Sequence, residues 1–169
     1  MPELIAYFSR AGENYVNGNI LNLSVGNTEL AAKIIQEVTG ADLYKIEPIL
    51  EYSKDYSECL EEAKEDQRRQ ARPALKKPFP DMKKYEVIYL GYPNYWGTMP
   101  MPVFTFLEGC RLGGKVIRPF CTHEGSKMGH SLDDIKKICP DAEVKNGLAL
   151  CGAGIHFAKE TIMEWLKGD

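Results

Sequence analysis

Apolar residues follow two rhythms along this chain. Leu4-Ile5-Ala6-Tyr7-Phe8 and Val87-Ile88-Tyr89-Leu90 are unbroken runs of β-favouring residues, the pattern of parallel strands covered on both faces. Ala41 to Ile46, Lys115 to Cys121 and Val144 to Leu150 read as three more strands. Between the runs, apolar positions recur every three or four residues. The sets are Leu30, Ala31, Ile34, Ile35 and Val38; Tyr56, Cys59, Leu60 and Ala63; Val103, Phe104, Phe106 and Leu107; Leu132, Ile135 and Ile138; and Ala158, Ile162, Trp165 and Leu166. Each predicts an amphipathic helix. Five strands alternating with five helices predict an α/β chain: a parallel sheet, helices on both faces, right-handed crossovers.

The boundaries carry their own punctuation. Asn27 stands where it would cap the first helix and Gly40 ends it. Arg72-Pro73 ends the second, and a Pro-rich connection runs from Pro73 to Asp81. The central strand stops at Gly91-Tyr92-Pro93, and Pro100 and Pro102 suit the first turn of the helix beyond. Ser131-x-x-Asp134 resembles a capping box. One stretch breaks the rhythm: Glu13 to Val25 interrupts the first strand-to-helix turn. Within it, Asn17-Gly18 between short apolar segments predicts a small hairpin.

Length and composition narrow the class. The 169 residues fit one domain over 1–169 with a substantial core. No apolar run approaches the ~20 residues needed to span a bilayer, and the N-terminal stretch reads as a strand rather than a secretion signal; the expected location is cytoplasmic, with no membrane partner. A net charge of −3 argues against nucleic acid as a partner. Five widely spaced cysteines without a CxxC predict reduced thiols and no metal centre. The acidic and basic residues between Glu58 and Lys77 read as a solvated helix face laced with ion pairs.

Three loops at the carboxyl ends of strands one, three and four would converge on one edge of such a sheet, where open α/β sheets bind ligands. The first offers Ser9, Arg10, Asn27 and Thr28 at a helix N-terminus, suited either to capping or to a phosphate. The second offers Pro93, Asn94, Tyr95, Trp96 and Gly97. Its adjacent aromatics fit two readings: a stacking platform for a flat cofactor, or a tryptophan folded back into the core. The third offers Thr122, His123, Glu124, Gly125 and Ser126, whose polar atoms could bond the edge of a heterocycle, or whose His123 and Glu124 could form an acid–base pair.

Rival chemistries on this topology lack their residues. A response-regulator receiver needs an acidic pair after strand one, where Ser9-Arg10 stands. A small tyrosine phosphatase needs Arg six places after its Cys; Lys127 stands six after Cys121. The nucleotide-hydrolase loop GxxxxGK[ST] and the dinucleotide pattern GxGxxG are both absent.

The segments YFSRAG with GNT, YPNYWGTMPMPVFTFLE and FCTHEGS resemble the flavodoxin family over nearly the whole chain. The resemblance implies a three-layer α/β/α sandwich with a five-stranded parallel sheet, order 2-1-3-4-5, and non-covalent FMN. It implies that Ser9, Arg10, Asn27 and Thr28 hold the phosphate. Pro93, Asn94, Tyr95, Trp96 and Gly97 would flank the flavin, and Thr122, His123, Gly125 and Ser126 would close the other side. The family's compact phosphate loop is split here by Glu13 to Val25, expected to loop outward, with Gly26-Asn27-Thr28 returning to the phosphate.

Three functions are compatible with this reading. The first is an FMN electron carrier serving a reductase and an acceptor protein, monomeric or weakly dimeric, with no catalytic side chain because the redox chemistry belongs to the cofactor. The second is an NAD(P)H-dependent FMN quinone or flavin oxidoreductase. The third, a domain that has lost FMN, conflicts with the presence of every expected site type.

Overall fold

The structure is a computed structural model and describes residues 2–168. Its main sheet is built from β1 (Glu3–Tyr7), β4 (Asp42–Lys45), β5 (Val87–Pro93), β6 (Val116–His123), β7 (Glu143–Val144) and β8 (Leu148–Cys151), all paired in parallel. The order is β4-β1-β5-β6, with β7 and β8 both lying along the outer side of β6. A separate hairpin, β2 (Gly12–Val16) and β3 (Asn19–Leu23), sits between β1 and the first helix. With the hairpin set aside and β7–β8 taken as one interrupted strand, the order is the expected 2-1-3-4-5.

Five helices cover the sheet: α1 (Asn27–Thr39), α2 (Tyr56–Arg68), α3 (Met101–Gly109), α4 (Ser131–Ile138) and α5 (Lys159–Lys167). Strand alternation distributes the core between two layers. Leu4 and Ala6 of β1, with Ile88, Leu90 and Tyr92 of β5, join α3 and α4 in one cluster. Ile5, Tyr7 and Tyr89 point the other way and pack with Ala31, Ala32 and Ile35 of α1 and Ile162 of α5. Each face of the sheet thus buries one apolar stripe per helix, which makes the unbroken apolar strands necessary. Arg118 of β6 lies between the Tyr89 and Trp165 rings, 5.6 and 4.7 Å from their centroids. Its guanidinium donates to the carbonyls of Trp165, Leu166 and Gly168 at the end of α5.

Four expectations are corrected. The fifth strand is broken at 145–147, where Gly147 lies against Met128; a Cβ there would stand 2.4 Å from the Met128 methyl. The central strand continues through Gly91, Tyr92 and Pro93, which pair with Phe120, Cys121 and Thr122. Gly91 lets it pass, because a Cβ at that position would meet the Phe120 ring at 2.2 Å. Asn27 is the first residue of α1, not its cap; Gly26 takes the cap position in extended conformation. The capping box at Ser131 does not form: Ser131 accepts from the buried Tyr92 hydroxyl at 2.8 Å and donates to the Met128 carbonyl. Asp134 instead accepts from Thr98 and bonds His130. Among the described residues no helix is long and apolar enough to cross a membrane.

Candidate functional site

The register brings the ends of β1, β5 and β6 together. Tyr7 lies beside Gly91 and Pro93 beside Thr122, so the three loops leave the sheet as neighbours. They enclose a cleft of about 370 Å³, within the ~300–1,000 Å³ usual for small-molecule sites. Arg10, Asn27, Thr28, Pro93, Asn94, Tyr95, Trp96, Thr122, His123 and Ser126 all line it. Ser9, Gly97 and Gly125 do not.

At the first loop, the Ser9 hydroxyl accepts from the Glu29 amide at 3.0 Å, capping α1 from outside the helix. This seating requires Gly26. A Cβ there would fall 2.2 Å from Ser9 Oγ and 2.5 Å from the Arg10 carbonyl oxygen. The N–H groups of Asn27 and Thr28, like those of any first helical turn, have no partner within the helix. The hydroxyl of Thr28, a residue 2% exposed, pairs with Thr122 Oγ1 at 2.7 Å and joins the first loop to the third. Arg10 donates to the carbonyls of Glu13 and Lys54.

The second loop separates its two aromatics. Tyr95 turns inward, edge-on to Phe8 at 5.8 Å and Tyr52 at 6.4 Å; its hydroxyl is buried without a hydrogen-bond partner. Trp96, at φ +53°, is 44% exposed. Its Nε1 donates to the Leu60 carbonyl at 2.9 Å, and Lys64 Nζ stands 5.1 Å from its ring centroid. Trp96 therefore does not fold back into the core. Asn94 locks the turn by accepting from the Gly97 amide and donating to the Lys127 carbonyl.

In the third loop, Gly125 N–H donates to His123 Nδ1 at 2.8 Å. That nitrogen must be unprotonated, so a neutral ring carries its proton on Nε2. Burial of His123 lowers its pKa, and this outweighs the opposing field of Glu124. The two side chains share no hydrogen bond. Glu124 instead accepts from the backbone N–H groups of Asn17 and Ala153, at 2.5 and 3.2 Å. The acid–base pair is thus not assembled.

The sequence profile of the flavodoxin family matches residues 3–168. The chain belongs to that family. A candidate flavoprotein of Bacteroides eggerthii shares 30% identity over 98% of this chain and 96% of its own, with a TM-score of 0.78. One from Bacteroides uniformis shares 26% over 99% and 98%, also at 0.78. A flavoprotein from Lactobacillus acidophilus, solved in complex with FMN, shares 18% over 92% and 97%, at 0.64; that likeness shows the fold. No curated protein matches the chain.

This member of the flavodoxin family walls its cleft with residues that the sequence reading assigned elsewhere. Tyr56, Cys59, Leu60 and Ala63 of α2 line it, as do Asn14 and Tyr15 of the hairpin. The α2 stripe was legible as an apolar face, but its spacing is the same whether it meets a core or a ligand. The hairpin does form at Asn17-Gly18, with φ +49° and +83°. It does not loop outward: Glu13 accepts from the Tyr56 amide at 2.7 Å and the Asn17 amide reaches Glu124, so it lies across the cleft. The residues present fit FMN by their chemistry. First-turn amides and neutral donors stand at one end and an exposed indole elsewhere on the wall. The Gly26 seat would reject a side chain.

Proposed function

We propose that this protein binds FMN in the cleft and carries electrons between a reductase and an acceptor protein. One observation carries the reading: the first turn of α1, with Asn27 and Thr28, and the exposed Trp96 ring line the same cleft. The first suits an anion, the second a flat aromatic system. The Lactobacillus acidophilus protein of the same fold holds FMN. When bound, FMN supplies the redox chemistry itself. The chain's residues bind and orient it: Asn27 and Thr28 with their amides at the phosphate, Trp96 on the ring. Asn94, Thr122, Ser126 and the neutral His123 offer polar groups to the edge. A cytoplasmic setting belongs to this proposal, supported by five cysteines that are all free.

A second reading, an NAD(P)H-dependent FMN oxidoreductase, is favoured by one feature. Tyr15, Tyr56 and Leu60 add to the cleft a largely apolar wall that a carrier does not require and a small substrate could use. The test is direct. Purified protein should be yellow and release FMN, not FAD, on denaturation; colourless protein that also refuses added FMN overturns the cofactor. Anaerobic mixing with excess NADH or NADPH should bleach the flavin sluggishly, and a ferredoxin–NADP reductase should do so fast. Millisecond reduction by the nicotinamide followed by rapid reoxidation with a quinone would establish the enzyme instead.

A further inference from the structure

The β2–β3 hairpin touches the cleft yet belongs to neither face of the sheet. It forms its own two-stranded ladder and shares none with the main sheet. Ile20 and Leu21 on its second strand are 54% and 44% exposed, so it buries little apolar surface. An isolated hairpin of this kind is marginal in water; its position therefore depends on bonds to other elements.

Beside the bonds that Arg10 makes at its base with Glu13 and Asn14, two attachments to distant elements hold it over the cleft. On one side, the Glu13 carboxylate accepts from the Tyr56 amide at the start of α2, and the Tyr15 ring lies against Tyr56 with centroids 6.4 Å apart and planes inclined by 26°. On the other, the Asn17 amide, in the tight turn itself, donates to Glu124 Oε1, while Glu124 Oε2 accepts from the Ala153 amide. One carboxylate thus ties the hairpin turn to the segment that follows β8. Its seat is shaped for it: a Cβ on Gly152 would stand 2.6 Å from Glu124 Oε2 and 2.6 Å from Asn27 Nδ2. Hydrogen bonds to an ionised acceptor are about twice as strong as neutral ones, so this pair dominates the distal attachment.

We infer that Glu124 is a positioning residue that latches the hairpin as a strap across the cleft, and that release of this latch sets the rate at which ligand exchanges. Asn14 and Tyr15 on the strap and Glu124 itself line the cleft, so a ligand held there lies against the strap. Elements with few buried contacts open at the low end of a protein's stability range, and such lids gate binding on slow timescales. The gating half of this inference rests on the FMN reading; the latch does not.

Two measurements separate them. Glu124→Ala removes both backbone bonds and the longer contact from the Cys151 thiol. Glu124→Gln keeps one acceptor oxygen and sets an amide N–H against the other donor. In ligand-free protein, hydrogen exchange of the hairpin amides should quicken roughly tenfold in Glu124→Ala and by an intermediate factor in Glu124→Gln, with β1 and β5 amides unchanged. In stopped-flow flavin fluorescence, FMN association and dissociation should both accelerate, and the dissociation constant should move less than either rate. Unchanged hairpin exchange in Glu124→Ala overturns the latch. Faster hairpin exchange with unchanged association and dissociation rates overturns the gating. Wild-type protein that binds no FMN overturns the cofactor reading and the gating with it, while the exchange data still judge the latch.

Discussion

The floor and the roof of the cleft are held in different ways. The floor is formed by loops that leave β1, β5 and β6, strands locked in register along their whole lengths. Its key side chains are seated by backbone contacts, as where Gly26 meets Ser9 and Arg10. The roof, formed by the hairpin, is held to α2 and to the third loop largely by Glu13, Glu124 and one aromatic pair. Moving the floor means deforming a sheet; moving the roof means breaking a few polar bonds. A binding site that must both fix a ligand and let it pass needs one part of each kind.

The contrast can be broken from the floor side. Gly26→Val would drive a side chain into the Arg10 carbonyl, costing about 3 kcal/mol of stability and abolishing discrimination of FMN from riboflavin. Thermal melting and titration with both flavins check this; a variant that melts like the parent would show the floor to be as yielding as the roof. The two aromatics of the second loop sharpen the contrast. Tyr95→Ala should lower stability by about 2–3 kcal/mol, because it leaves a void against Phe8 and Tyr52. Tyr95→Phe, which deletes only the partnerless hydroxyl, should be neutral or stabilising by about 1 kcal/mol. Trp96→Ala should leave the melting temperature near that of the parent while weakening FMN roughly tenfold, about 1–1.5 kcal/mol. If instead Tyr95→Ala loses ligand and Trp96→Ala loses stability, the roles are reversed.

The smallest effect concerns His123. Its pKa is lowered by burial, so the folded state favours the neutral ring. The stabilisation from this group is present above its unfolded pKa of about 6.5 and is lost as pH falls through the lower folded value. Protonation must also break the bond from Gly125 N–H to Nδ1. A titration of the His123 ring by NMR should give a midpoint below 6.5; a midpoint above it would mean that Glu124, not burial, dominates.

The floor was legible in the sequence and the roof was not, for a physical reason. Leu4–Phe8 and Val87–Leu90 announce strands through composition alone, and alternation with periodic helices then fixes where their loops emerge. Asn17-Gly18 announces a hairpin because its turn needs two positive φ angles. Which way that hairpin leans depends on Glu13 meeting Tyr56, 43 residues away, and Asn17 meeting Glu124, 107 residues away. Nothing local encodes either meeting. The same limit explains α2: Tyr56, Cys59, Leu60 and Ala63 mark an apolar stripe without saying what it faces. Ser9 could be recognised as a loop hydroxyl, but its bond to the Glu29 amide follows only from the close approach at Gly26.

The Phe120 ring occupies the space where Gly91 would carry a side chain. Two neighbouring strands therefore share one volume, and the size of either residue limits the other. Drift at one position is expected to be conditional on the other: relatives with a larger residue in place of Gly91 should carry a smaller one in place of Phe120. The paired change Gly91→Ala with Phe120→Leu should accordingly be tolerated better than Gly91→Ala alone. The strand that delivers Trp96 to the cleft is in this way constrained by its neighbour, and the history of the site should be readable in a position that never touches a ligand.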